Sequence, residues 1–255
     1  MSLWLLGVFL ACQVAGDGDF RAGLQSTRAG NQAEAVIQFR AALAQGAKAP
    51  ATYHGLGNAL YRQGNRGAAI AAWRRGLLLS PRDGDIAANL ARAQRENRDQ
   101  LDPPAAHRGA FFWQAAVSPR ESGLLASGCL AVGIWIIAAH RWRRYRRPRP
   151  GRQRGRGWAL LMTGVGLLVA ISTIDALEQR RGAVVVVDSV AVRSALGPEG
   201  VALFVLHEGA EVQLIETGAR HSLVALSDGR KGWLATGAVI STDPASAFPT
   251  PPAKG

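Results

Sequence analysis

The chain has 255 residues, 30 Lys and Arg against 18 Asp and Glu, a net charge of +12, and two cysteines. A hydrophobic content of 48% excludes a wholly disordered chain, and two cysteines exclude a disulfide-stapled miniature domain. The charge is uneven: residues 141–156 hold nine arginines and no acid, residues 1–121 carry +5 and residues 175–255 carry −2, which excludes an evenly basic nucleic-acid-binding domain.

Residues 1–16 read as a signal peptide or N-terminal anchor. Leu3 to Ala11 form an apolar run of the right length, and the small residues Ala15 and Gly16 follow. The Leu-Ala-Cys ending at Cys12 leaves lipidation open. Residues 17–97 are Ala-rich and helical in period. A shift of 34 residues lays the segment on itself without gaps, with Gly23 on Gly57, Gly30 on Gly64, Asn31 on Asn65, Ala35 on Ala69, Phe39 on Trp73 and Leu43 on Leu77. That period and these residue types resemble the tetratricopeptide repeat, a helix, a tight turn and a second helix. Small Gly57 and Ala69 let two helices approach, Trp73 fills the space between pairs, Gly64 supplies the turn conformation, and Pro81 stops the second helix. The better copy is 50–83. Copy 16–49 is degenerate, and a third first helix, 84–97, caps the stack. The resemblance implies an extended peptide on the face lined by the first helices, against Arg28, His54, Asn58, Tyr61, Arg62 and Arg92. A row of Arg28, Arg62 and Arg92 suits an acidic peptide.

Residues 98–122 form a juxtamembrane linker: Asp102-Pro103-Pro104 ends the last helix, and Phe111-Phe112-Trp113 suits the headgroup level. Two transmembrane helices are expected over 123–140 and 157–175, each containing an uncharged apolar run, with Trp142 and Trp158 at their margins. Between them, the Arg-rich loop 141–156 belongs in the cytoplasm, beside membrane lipid phosphates, and both flanking parts belong on the exported side. Cys129 falls inside the first span, so no intramolecular disulfide is expected.

From residue 183 the pattern turns to alternation. Short strand-like runs over 183–241 are separated by turn signals at Gly197-Pro198, Glu208-Gly209, Thr217-Gly218 and Asp228-Gly229, which indicates a small barrel. Val190 to Ser194, Leu206 to Gly209 with Val212, and Asp228 to Leu234 resemble the landmarks of bacterial SH3 (SH3b) domains. His221 stands where such domains commonly carry a tryptophan; with Trp233 it marks the candidate SH3-like surface. Residues 242–255, with four prolines, are expected to be disordered.

The expected fold class is a multidomain membrane protein: all-α tetratricopeptide helix pairs, a transmembrane helical hairpin and a small all-β SH3-like barrel. This order of parts resembles the BatE-type proteins of the bacterial aerotolerance (Bat) group, through residues 53–83, 85–90, 118–121 and 201–209. The resemblance implies a two-span inner-membrane scaffold with its repeats and barrel in the periplasm. It also implies von Willebrand A-type membrane proteins as partners and a role in oxygen and stress tolerance.

No Walker loop, Gly-x-Ser-x-Gly elbow, His-Glu-x-x-His helix or Cys-x-x-Cys pair occurs, and the five histidines lack metal-ligand spacing. Glu208, Glu211 and Glu216 read as a solvated face. The expectation is a non-enzyme without catalytic residues, metal or cofactor, and without nucleic acid as a partner. The alternative is a cell-wall module that binds peptidoglycan and recruits envelope enzymes.

Overall fold

A computed structural model describes residues 16–99, 101, 119–146, 154–178, 181–196 and 200–249. The expected signal segment, most of the linker with its aromatic trio, and the centre of the Arg-rich loop lie outside the described residues. The chain divides into two compact units, Met1–Ala106 with Arg180–Gly255, and His107–Gln179.

Glycine punctuates the helices of the first unit. Gly30 and Gly64, one repeat apart, both take φ +82°, a left-handed conformation that a β-carbon resists. Each separates a helix pair, α1 (16–28) from α2 (Gln32–Ala44) and α3 (Pro50–Arg62) from α4 (Arg66–Leu79). Pro50 opens α3 at a position where its missing N–H costs nothing. The fifth helix, α5 (Gly84–Arg95), is capped by Asp83, whose Oδ1 accepts the Ile86 N–H at 3.1 Å. Neighbouring helices pack around Phe39, Tyr53, Leu56, Leu60, Ile70, Trp73 and Ile86, all buried. Both copies use one device for close approach. A β-carbon on Gly57 would lie 2.5 Å from Trp73 Nε1, and one on Gly23 would lie 2.8 Å from the Phe39 ring. The first copy is therefore a complete helix pair despite its weaker sequence.

Seven strands follow: β1 (Gly182–Val185), β2 (Ser189–Arg193), β3 (Ala202–His207), β4 (Glu211–Thr217), β5 (His221–Ala225), β6 (Lys231–Ala235) and β7 (Val239–Ser241). They form one antiparallel sheet in the order β3-β2-β6-β5-β4-β1-β7. The short β7, which follows a single helical turn at Thr236–Ala238, has no alternation long enough to be read from sequence.

The run Ala183-Val184-Val185-Val186 breaks alternation because both of its faces are buried. Ala183 and Val185 join the core of the sheet with Val192, Leu206, Val212, Val224 and Leu234. Val184, Val186 and Ile240 join the helical core instead. Successive side chains of a strand point to opposite faces, so β1 is the seam between the two halves of this unit.

The seam is specific. Gly67 in the first turn of α4 has no room for a side chain: a β-carbon would sit 2.2 Å from the Val185 carbonyl oxygen. The Gly67 N–H, with no acceptor inside its own helix, donates to Glu208 Oε1 at 3.0 Å. Arg74 on α4 grips Glu211 of β4 through two bonds of 2.6 and 3.0 Å. Asn97, just beyond α5, donates to the Gly209 carbonyl at 2.9 Å. The last helix is thus closed by the sheet, and not by solvent alone.

Residues 242–249 correct the expectation of disorder, which started at 242. They run as a strap across α2, α3 and α4. Buried Arg75 on α4 donates to the carbonyls of Ser241, Ser246 and Ala247 and to the Ser246 hydroxyl, at 2.8–3.2 Å. The Tyr53 hydroxyl donates to the Pro244 carbonyl, Lys48 to Ala245 and Arg40 to Pro249. The Phe248 ring lies beneath Arg75, 4.8 Å from the guanidinium carbon. Burial lowers the Arg75 pKa from its ordinary value and raises that of the Tyr53 hydroxyl.

The second unit is a pair of long helices packed on each other, α6 (Pro119–Arg146) and α7 (Arg154–Glu178). Gly166 of α7 backs onto Leu130 of α6, where a β-carbon would stand 2.9 Å from Leu130 Cγ. Within α6, Glu121–Ala139 is long and apolar enough to cross a membrane, and only 17% of that stretch is buried. The apolar stretch of α7, Leu160–Ile174, is shorter. Of the two expected spans, one meets the length criterion among the described residues. Large side chains such as Leu124, Trp135, Leu160 and Leu167 stand exposed on this unit.

Candidate functional site

The helices α1, α3 and α5 carry every residue that the repeat pattern assigns to the peptide face. On α3, His54 and Asn58 project one turn apart toward α5, where Asn89 meets both. The Asn89 amide lies 3.0 Å from His54 Nε2 and donates to Asn58 Oδ1 at 3.0 Å. Asn58 Oδ1 also accepts the indole N–H of buried Trp73 at 3.3 Å. This anchors the cluster to the core: Asn58 has one side on the tryptophan that separates the helix pairs and the other on the open face.

A second cluster lies one to two turns further along. The Tyr61 hydroxyl donates to the Glu96 carboxylate at 2.7 Å, and Arg92 Nε lies 3.5 Å from Glu96 Oε1. The Arg92 guanidinium lies 5.9 Å from the centre of the Tyr61 ring, and Arg66 donates to the Glu96 carbonyl at 2.7 Å. The Tyr61 hydroxyl, followed by Arg92, holds the Glu96 carboxyl below its ordinary pKa, and the same bond raises that of Tyr61.

The structure therefore brings His54 together with Asn58, and Tyr61 together with Arg92. Arg28 and Arg62 stand exposed at the ends of α1 and α3. The expected row of three arginines is modified, because Arg92 is engaged by Glu96. Asn89 and Glu96 were missed by sequence reasoning. A signal existed: on a helix paired with α3, both fall at the level of residues already assigned to the face.

The opposite side, lined by the second helices, is sealed. Arg74 and Arg40, equivalent positions in the two copies, are taken by Glu211 of the sheet and by Pro249 of the strap. Two of the three carboxylates expected on a solvated face belong to this seal: Glu208 binds the start of α4, and Glu211 holds Arg74 and Gln94. Only Glu216 is exposed. Expecting all three in solvent overlooked that a β4 carboxylate becomes a partner once α4 packs on β1.

On the sheet, His221 and Trp233 occupy one face. Cross-strand pairs join His221 to Ala235 and Leu223 to Trp233, so His221 and Trp233 are diagonal neighbours. His221 is exposed and Trp233 half-buried. Among the described residues, no three His, Cys, Asp or Glu side chains gather as a metal ion would require. The lone described cysteine, Cys129, is half-buried within α6.

No curated protein sequence matches the chain. Residues 50–83 match the family model for the tetratricopeptide repeat, and they contribute His54, Asn58, Tyr61 and Arg62 to a face of the kind such repeats use to bind protein partners.

Proposed function

We propose that this protein is a non-enzymatic inner-membrane scaffold of the BatE type that captures protein partners on the first-helix face of its repeats. One observation carries the reading: the sheet and the strap cover much of the second helices, while the first-helix face keeps Arg28 and Arg62 exposed beside half-buried His54 and Asn58. Amide and guanidinium donors dominate that face. An acidic extended segment, such as one from a von Willebrand A-type membrane protein, is the matching chemistry.

The membrane reading rests on apolar α6 and on connectivity. Repeats and sheet pack within one unit and so share one compartment, and a chain that departs through α6 and returns through α7 crosses an even number of times. Nine arginines over 141–156 then assign the turn to the cytoplasm and the first unit to the periplasm. Lipid phosphates of the cytoplasmic leaflet are the partner proposed for these arginines. The sheet is read as an SH3b-like barrel built to brace the repeats. Its role in oxygen and stress tolerance follows from the resemblance to Bat proteins.

Two measurements test this. Affinity purification of the tagged full chain in mild detergent should recover membrane-protein partners. The Arg62→Glu/Arg92→Glu double variant should recover them at least about tenfold less well, because each reversal places an acid against the acidic segment. Equal recovery by both proteins would count against the face, and recovery of wall synthases alone would favour the peptidoglycan-binding alternative. Alkaline phosphatase fused after Pro150 should be inactive and after Gly255 active; the reverse pattern would overturn the topology.

A further inference from the structure

The open end of the peptide face holds a carboxylate that is already bound there. Glu96 ends α5, and the Tyr61 hydroxyl of α3 lies 2.8 Å from its Oε1 and 2.7 Å from its Oε2, one proton shared across the carboxylate. The Tyr61 ring is itself fixed, 5.6 Å from the ring of Trp73. Arg92 Nε approaches Oε1 at 3.5 Å, and its guanidinium stands over the Tyr61 ring. Both donors belong to the set that the repeat register assigns to a ligand. The side chains of Arg92 and Glu96 remain 69% and 42% exposed, so an incoming chain reaches both.

Local helix chemistry does not account for an acid at this position. The C-terminal end of a helix carries partial negative charge and disfavours a carboxylate. An Arg followed four residues later by a Glu is also the weaker order for a helical ion pair. Arg92, Arg95 and Arg98 bracket Glu96 in sequence, as a helix end would select, and Glu96 runs against that choice. What holds its carboxylate is the face itself, Tyr61 from the neighbouring first helix and then Arg92. Arg66 donates to the Glu96 carbonyl and not to the carboxylate, so the main chain here is fastened independently of the side chain.

We propose that Glu96 is a built-in competitor on the peptide face: its carboxylate holds the place of a partner's carboxylate on the Tyr61 hydroxyl, and an acidic segment binds by exchanging one for the other. The proposal rests on the reading of this face as a docking site for acidic segments. Exchange of one carboxylate for another gains nothing net. Affinity therefore comes from further acids that reach exposed Arg62 and Arg28, and a segment with a single acid is turned away.

A fluorescein-labelled hexaglutamate peptide, titrated with the full chain in mild detergent and followed by anisotropy, tests the exchange. Binding of this probe to the Arg-rich stretch 141–156 is common to all variants and is subtracted with the Arg62→Glu/Arg92→Glu protein. Glu96→Ala, which frees the Tyr61 hydroxyl and keeps the main-chain bond from Arg66, should tighten the remaining binding about tenfold. In a Tyr61→Phe background the same change should gain no more than about twofold, because there is no hydroxyl to release. Asp85→Asn, which removes an exposed acid elsewhere on α5, should also gain no more than about twofold. A Glu96→Ala protein that binds no more tightly than the wild type would overturn the proposal. So would an equal gain in both backgrounds, which is the mark of a general charge effect. In either case, wild-type binding above that of the Arg62→Glu/Arg92→Glu protein would leave the docking face standing. If no variant binds above that baseline, the docking face fails and the competitor with it.

Discussion

Arg75→Met lowers the stability of the first unit by about 3–5 kcal/mol, read as a shift in the urea midpoint of the full chain in mild detergent. Methionine approximates the volume of the arginine stem and supplies none of its donors. The carbonyls of Ser241, Ser246 and Ala247 then lose their charged partner together. Hydrogen bonds to a charged group contribute about 1.5–3 kcal/mol each and are not additive, so several lost at once still sum to a large effect. The strap loses its central attachment as well, and protease cleavage within 242–249 should accelerate in parallel. Lys48→Ala, which removes the exposed bond to the Ala245 carbonyl, should change stability by less than about 0.5 kcal/mol. If the two variants behaved alike, the strap would be held by its apolar contacts and not by Arg75.

The second large effect is expected at Gly67→Ala. Alanine is the better helix former, and in an isolated repeat it would stabilise α4 by about 0.5–1 kcal/mol. Here its methyl group would stand 2.2 Å from the Val185 carbonyl oxygen and 3.1 Å from Glu208 Cγ. The first of these is main chain of a strand buried on both faces, so it cannot swing aside. Either β1 shifts or the start of α4 does, and the Glu208 bond to the Gly67 N–H goes with it. The expected loss is about 2–3 kcal/mol, with amide exchange rising in β1 and the first turn of α4 together. Gly84→Ala is the matched control. It also lies in a helical first turn, but nothing stands within 4 Å of its added carbon, and stability should hold or rise by about 0.5 kcal/mol.

Much of the architecture was legible in the residues. The 34-residue period could be read because each landmark is fixed by a local steric demand: glycine at φ +82° in the turn, and glycine against an aromatic ring between helices. Five of the strands were legible from alternation, since they bury one face. The first strand run was located but its meaning was hidden, because a strand buried on both sides reads only as apolar. The strap was invisible for a different reason. Apart from Phe248 its residues are small, polar or proline, and most of what holds it is main-chain carbonyls, which every sequence offers equally. Composition measures the capacity of side chains to bury themselves, and Arg75 captures the strap without using that capacity. Glu208 and Glu211 were misread on similar grounds: the partners that desolvate them lie 141 and 137 residues away, at Gly67 and Arg74. At the peptide face, the first-helix register located His54, Asn58, Tyr61 and Arg92. It did not supply Asn89 and Glu96, although Glu96 stands one period after Arg62, because a register gives positions and not the residue that will answer them.

The bond between Arg75 and Ser246 spans 171 positions. A ribosome makes the N-terminal end of a chain first, so the repeats emerge with a guanidinium already destined for the interior and nothing yet to receive it. Both long helices of the second unit are made before its acceptors appear. The repeats therefore cannot complete their folding as an N-terminal piece; they must wait for almost the last residues described, and closing so long a loop is slow. A chain interrupted before residue 182 would leave a buried-type arginine without acceptors, the Gly67 N–H without Glu208 and the helices without Val184, and one interrupted between 209 and 240 would still leave the arginine unanswered. The placement of the strap after the last strand makes the finished fold a test of whether synthesis has passed residue 249.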